Sequence, residues 1–189
     1  MSDLMRAYHD EEWGVPVRDD RKLFEYLVLD AFQAGLSWHI ILKKREGFRE
    51  AFQDFDPRVV AEYTSADVER LVASSSIVRN RLKVKAAVSN AAAFLQVQRQ
   101  FGAFSDYMWA FVGDRTIQDA WTVWQSIPSD TEESRLLSAD LRRRGFKFVG
   151  PTIIYAVMQS AGLVNDHSAT CFRYKELGGT ATGADQAPR

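Results

Sequence analysis

Apolar residues recur three and four positions apart along most of this chain, which is the spacing of helices with one buried face. Leu23, Leu27, Ala31 and Ala34 follow this rule, with Asp20 ahead of them as the expected cap. Gly35 interrupts that helix, and "SWHIILKKRE" restarts with Ser37 as its cap. Asp56 followed by Pro57 marks another start, because proline at the first helical position loses only an N–H that has no partner there. Thr64 and Asp67 form a second kind of start before "VERLVA". An alanine-rich amphipathic stretch runs from Arg81 to about Gln100. "SDTE", Ser129 to Glu132, has capping-box spacing and opens a helix that stops at Gly145. A further helix starts at Pro151 and stops at Gly162. Between Gly113 and Pro128 the pattern predicts a loop or short helical turns. Only "FKFV" alternates like a strand, and it is too short to build a sheet. The fold class expected is all-α.

Composition changes this picture little. At 189 residues, 46% hydrophobic and 26% charged, the chain has the make-up of an ordinary globular domain. A single domain is expected over residues 1–175. The end, residues 176–189, is rich in Gly, Ala and Thr and is expected to be a disordered tail. Net charge is −1, from 24 basic and 25 acidic residues. That excludes a surface that is basic all over and leaves room for a local basic patch. One cysteine excludes an internal disulfide and suits a reducing, cytoplasmic setting. No apolar run has the length of a membrane span, so no membrane partner is expected, and a monomer is.

Two stretches carry chemistry. In "RGFKFVGPT", Gly145 and Gly150 bracket a tight connection between two helices, the layout of a helix-hairpin-helix element. N–H groups at the second helix start can hold a phosphate. Arg142, Arg143, Arg144 and Lys147 would supply positive charge beside it. An ordinary helical turn with a basic helix end has the same spacing, so spacing alone favours that plainer reading. In "GLVNDHSATCF", His167 and Cys171 have metal-ligand spacing, yet two ligands do not make a zinc site.

Further blocks extend the pattern: "AYHDEEWGVP", "FQAGLSW", "ILKKRE" and "RGFKFVGPTIIYAVMQSAGLVNDH", followed by Cys171. Together they resemble DNA-3-methyladenine glycosylase I, a family within the helix-hairpin-helix DNA glycosylases. The resemblance runs in unbroken order from about Leu4 to Phe172. It implies a two-lobed helical fold with the damaged base held between the lobes. It also implies monofunctional hydrolysis of the N-glycosidic bond of 3-methyladenine in alkylated duplex DNA, leaving an abasic site.

The resemblance assigns roles residue by residue. Tyr8 and Trp38, by default core aromatics, become walls of the base pocket. Asp30 takes the place of a family glutamate that hydrogen-bonds the flipped base, one methylene shorter. Gly35 and Leu36 match the loop that fills the gap left by the flipped base. Gly145, Lys147 and Gly150 belong to the DNA-binding hairpin. Asn165 stands where many helix-hairpin-helix glycosylases carry a catalytic aspartate, and Asp166 beside it is expected to be structural. His9, His167 and Cys171 match three of four ligands of a structural zinc ion, and no organic cofactor is implied. The family's fourth ligand is a cysteine upstream of the tyrosine–histidine pair. No cysteine precedes His9 here, so either the chain starts late or the site is not closed by four ligands. A loosened N-terminal segment is expected with it, and Met5 stands where a tyrosine is common. The alternative is a catalytically weak or inactive DNA-binding paralogue that senses alkylated bases, suggested by the absent cysteine, Met5 and Asp30.

Overall fold

The computed structural model describes residues 2–179. Among them are eleven α-helices: α1 (Asp3–Glu11), α2 (Asp20–Gln33), α3 (Trp38–Lys43), α4 (Arg45–Ala51), α5 (Pro57–Ala61), α6 (Ser65–Ala73), α7 (Arg81–Phe101), α8 (Phe104–Trp109), α9 (Glu132–Arg143), α10 (Pro151–Ser160) and α11 (Phe172–Glu176). Two-residue strands β1 (Ile117–Gln118) and β2 (Val164–Asn165) pair in parallel. The all-α expectation holds. "FKFV" is not a strand: Phe148 takes a left-handed φ of 53° inside the hairpin. The paired strands lie elsewhere, because two residues are too few to leave any periodicity in the sequence.

Helix α2 is the centre of the molecule. Every residue from Leu23 to Phe32 is buried, so it packs on all sides rather than along one stripe. It contacts α10, α3, α7 and α8. Its cap is Asp19, which accepts from the Lys22 N–H at 2.8 Å, and not Asp20. Asp20 instead reaches across the fold and accepts from the N–H groups of Phe104 and Ser105, both at 2.8 Å. It thereby caps α8, a helix whose own cap position is Ala103 and offers no side-chain acceptor.

Other starts form as the local chemistry dictates. Asp56 and Pro57 open α5, and Thr64 with Asp67 makes a reciprocal capping box on α6. The box on α9 begins later than "SDTE" suggests: Thr131 is the cap and Ser134 its partner. At the far end of α9, Gly145 adopts φ 93°, and the N–H groups of Phe146 and Gly145 reach back to the carbonyls of Leu141 and Arg142. That is a Schellman stop, which requires the left-handed residue that glycine supplies. The ordered chain runs past 175: Glu176 closes α11, and the Gly179 N–H donates to the Tyr174 carbonyl at 2.9 Å. The remainder of the expected tail, residues 180–189, lies outside the described residues.

The N-terminal segment is tied down at several points besides any metal. Gly14 and Val17 donate backbone hydrogen bonds to Gln159 and Ala161, each at 3.0 Å. Glu12 receives both Nη groups of Arg45, at 2.7 and 2.8 Å. No helix among the described residues is long and apolar enough to cross a membrane.

Candidate base-reading site and nucleic-acid interface

Helix α2 buries two carboxylates, and they are treated in opposite ways. Glu25 receives Arg45 Nε at 2.7 Å and Lys22 Nζ at 3.0 Å, with Arg49 at 3.2 Å. Burial alone would raise its pKa, but Arg45 and Lys22 overcome that and hold it below the ordinary value. Asp30 is 3% exposed and has no cation against it. Burial pushes its carboxyl well above the ordinary value, and outweighs the Ser160 hydroxyl, which works the other way. Its Oδ2 has no hydrogen-bond partner. A buried acceptor left unpaired forfeits about 1–3 kcal/mol, so it calls for an explanation, and a ligand would supply one.

The surroundings of Asp30 match that explanation. Tyr8, on α1, places its hydroxyl 3.0 Å from Ser160 Oγ on α10. Burial first, and then the charge of Asp30, raise its pKa well above 10.0, so the phenol keeps its proton. The Tyr8 ring lies 5.3 Å from Trp38, tilted by 55°. Trp38 Nε1 is a buried donor without a partner. Four elements thus converge on one spot: α1 brings Tyr8, α2 Asp30, α3 Trp38 and α10 Ser160. The spot offers aromatic faces, one open acceptor and one open donor, which is what a planar heteroaromatic base with an amino group would occupy.

Gly35 and Leu36 lie between α2 and α3, immediately beside this cluster. Gly35 has φ 83° with nothing close to where a side chain would be, and Leu36 is 38% exposed. An apolar side chain held outward on a glycine-hinged turn has the form of a wedge. At the hairpin, Gly150 caps α10 without a side-chain bond and Pro151 takes its first position, so the helix start presents bare N–H groups. Lys147 is exposed, but its backbone is clamped: its N–H donates to Asn90 Oδ1 at 2.7 Å and its carbonyl accepts from Asn90 Nδ2 at 2.9 Å. A groove of about 530 Å³ opens there, lined by Leu82, Lys85, Ala86, Ser89, Lys147 and Phe148. The three arginines contribute unequally. Arg143 and Arg144 are each paired with Asp140, so Arg142 and Lys147 carry the unpaired charge next to the hairpin.

His9, His167 and Cys171 converge as well. Cys171 Sγ is 3.7 Å from His9 Nε2 and 3.7 Å from His167 Nδ1, and all three donor atoms lie within 4.8 Å of one another. Ligands around a tetrahedral zinc ion sit roughly 3.5 Å apart, given bond lengths of about 2.0–2.3 Å, so the residues fit the metal. The outer contacts fit it too. His9 Nδ1 faces Asp10 Oδ1 at 2.7 Å, and His167 Nε2 faces the Trp13 carbonyl at 2.9 Å. Each contact occupies one ring nitrogen with an acceptor and leaves the other as a lone pair aimed at the centre. Met5 lies in the first turn of α1, where its N–H donates to the capping Ser2 Oγ at 3.4 Å.

Neither residue after the hairpin helix is free to act on water. Asp166 accepts from Tyr155, Gln159 and Trp121 at 2.6, 2.7 and 2.8 Å, which engages both of its oxygens. Asn165 donates to Gln118 and to the Tyr174 carbonyl, and takes the His167 N–H. Both are structural. Sequence reasoning missed Ser160, Glu12, Glu25, Arg45 and Asn90. Apart from Lys22, which is near Glu12 and Glu25 in the chain, the partners that place them lie 20 to 152 positions away, where no local spacing reaches.

Known proteins share both the residue pattern and the fold. The family model for methyladenine glycosylase matches residues 1–174. DNA-3-methyladenine glycosylase 1 of Escherichia coli (strain K12) is 49% identical over 171 residues, covering 90% of this chain and 91% of its own. A structure of 3-methyladenine DNA glycosylase I from Staphylococcus aureus, described as showing the basis of 3-methyladenine recognition, superposes with TM-score 0.88 at 36% identity. It covers 90% of this chain and 91% of that one. A tyrosine-to-phenylalanine variant of 3-methyladenine DNA glycosylase I, solved in complex with 3-methyladenine, gives TM-score 0.89 at 35% identity, over 90% and 92% of the two chains.

Proposed function

Because the chain belongs to the methyladenine glycosylase family, we propose that Asp30, Tyr8 and Trp38 are the pocket in which it reads 3-methyladenine, and that duplex DNA is the form it acts on. The activity is that of a DNA-3-methyladenine glycosylase in base excision repair: it removes the alkylated base from DNA. The observation that carries the assignment of the pocket is the unpaired Asp30 Oδ2, buried on the central helix close to Tyr8 and Trp38.

The chemistry explains why so little acid–base machinery is present. N3-methyladenine attached to the sugar is a cation. When the bond between the anomeric carbon and N9 breaks, both electrons go to the base, which leaves neutral. The positive charge passes to the sugar, where water adds and gives up a proton. The leaving group needs no protonation, so an asparagine at 165 and an aspartate at 166 held by three donors are no handicap. Asp30 acts on selection instead. Its carboxylate gains a cation when the lesion enters and gains only a neutral ring when adenine does, and low dielectric magnifies the difference. The Tyr8 and Trp38 rings add cation–π attraction of about 0.5–2 kcal/mol each for the charged base. Leu36 fills the stack behind the flipped nucleotide, while Lys147, Gly145 and the α10 N–H groups hold the backbone.

His9, His167 and Cys171 are the residues that would hold a zinc ion. It would supply a cross-link between α1 and the segment ahead of α11 and take no part in hydrolysis. The test of the function is direct: single-turnover incubation with methylated duplex DNA releases free 3-methyladenine and leaves alkali-labile abasic sites. Binding to methylated DNA with no base released would instead make the chain a lesion sensor. The open hydrogen-bonding atoms at Asp30 and Trp38 favour the enzyme.

A further inference from the structure

Helix α7 touches both parts of the DNA-facing surface through buried polar side chains that face the same way. Lys83 is 7% exposed, and its Nζ donates to the carbonyls of Phe32 at 3.0 Å and Ala34 at 2.7 Å. These carbonyls end α2, directly before Gly35 and Leu36. Helix α2 has no basic residue in its own last turn, and the backbone N–H that turns back on its end, that of Leu36, takes only the Gln33 carbonyl, at 2.6 Å. Two of its orphan carbonyls are therefore satisfied by an ammonium group from another helix, at the negative end of its dipole. Asn90, 2% exposed, clamps both backbone groups of Lys147. Lys83 and Asn90 are seven positions apart, so they lie on one face of α7, separated by about 10.5 Å of helix rise. Helix α7 is 21 residues long, alanine-rich and packed on α5, α6 and α2, which makes it a stiff support.

We infer that Lys83 and Asn90 are positioning residues for lesion excision: through them α7 sets the Leu36 wedge at a fixed offset from the Lys147 hairpin, so that the strand gripped by the hairpin presents its flipped nucleotide beside the wedge. This rests on the function proposed above. Neither side chain reaches the base pocket cluster of Tyr8, Asp30 and Trp38 by any hydrogen bond. Their effect is therefore on duplex engagement and not on recognition of the free base. A lysine that merely stabilised α2 would behave differently, because loosening the whole helix would also disturb Asp30.

The experiment compares Lys83→Met with wild type in two assays and in a second background. Single-turnover excision from methylated duplex DNA is expected to fall roughly tenfold, the size of losing one or two hydrogen bonds to a charged donor. Affinity for free 3-methyladenine, read by tryptophan fluorescence, should stay within about twofold, since that contact energy is unchanged. In a Leu36→Ala background, Lys83→Met should add little, because the side chain it positions is gone. Unchanged excision overturns the inference. So do a parallel loss of free-base affinity and losses that simply multiply with Leu36→Ala. If methionine at 83 prevents folding, Lys83→Gln, which keeps a shorter donor, carries the same comparison. Wild-type protein that released no 3-methyladenine would overturn the function itself, a distinct result.

Discussion

Replacing Asp30 with asparagine should separate stability from activity, because the fold gains nothing from the charge that the site needs. The carboxyl is buried with no cation, and its pKa lies above that of the unfolded chain. The folded state therefore holds the proton more tightly than the unfolded state. The stability this gives is fully present below about pH 3.9, where unfolded aspartate titrates, and is lost as pH rises through the folded pKa. At neutral pH, Asp30→Asn should be more stable than wild type by about 1–3 kcal/mol, as expected when an uncompensated buried charge is replaced by a neutral amide. Excision should drop by one to two decades, about 1.5–3 kcal/mol, with DNA binding little changed. Urea titrations at several pH values and single-turnover rates measure both. A variant that excises at the wild-type rate would falsify the role of Asp30 as base reader.

The elements that bring these residues together carry their own signatures. Helix α1 owes its position to the Glu12–Arg45–Glu25 cluster, in which the carboxylates have depressed pKa values despite burial. A depressed carboxylate stabilises the fold above its unfolded pKa, about 4.3 for glutamate, and that stability is lost as pH falls through the folded value. Acidification should therefore loosen α1. Glu12→Gln should bring that loosening to neutral pH, seen as faster amide exchange in α1 and weaker retention of Tyr8 in the pocket. A reasonable size is about 1–3 kcal/mol, since Arg45 keeps Glu25 but loses its bidentate partner. The hairpin makes a different prediction. Lys147→Glu should weaken binding to duplex DNA of any sequence and reduce the slope of log K against log salt by about 0.9 for each phosphate the side chain neutralises. Altered lesion preference with an unchanged slope would mean that Lys147 does not anchor phosphate.

Across the molecule, the two ends of the domain meet at His9, His167 and Cys171. Zinc bound there would close a loop of more than 150 residues, and such a link stabilises chiefly by restricting the unfolded chain. Three protein ligands leave the fourth position open, so protein prepared without chelator should carry zinc at less than one ion per chain, and removing it should lower the thermal midpoint. His167→Ala should abolish the binding and make the midpoint insensitive to chelator. The N-terminal segment should nevertheless remain docked without metal, because Glu12–Arg45, Tyr8–Ser160 and the backbone bonds of Gly14 and Val17 hold it independently. Chelation combined with Glu12→Gln should therefore release α1 when neither does so alone. This prediction departs from the expectation of a loose N-terminus drawn from the missing cysteine.

Helix class, most helix limits and the hairpin were legible in the order of residues, because they depend on partners three or four positions away. Asp56–Pro57, Thr64–Asp67 and the Gly145 stop form as local hydrogen bonding requires. Where a residue had two suitable local neighbours, the local rule slipped. Asp19 and Asp20 can each cap α2, and packing chose Asp19 because α8 lay within reach of Asp20 and needed an acceptor. The same holds for Thr131, whose partner Ser134 fits the turn better than the spacing of "SDTE" suggested. The pocket residues were legible only through family resemblance, since nothing in periodicity separates Tyr8, Asp30 or Trp38 from core. Which of two buried acids is neutralised, which ring nitrogen faces a metal centre, and which lysine secures the wedge depend on groups brought from distant parts of the chain. Those pairings exist only once helices have packed, because an unpaired charge or carbonyl becomes expensive only when water has been removed from it.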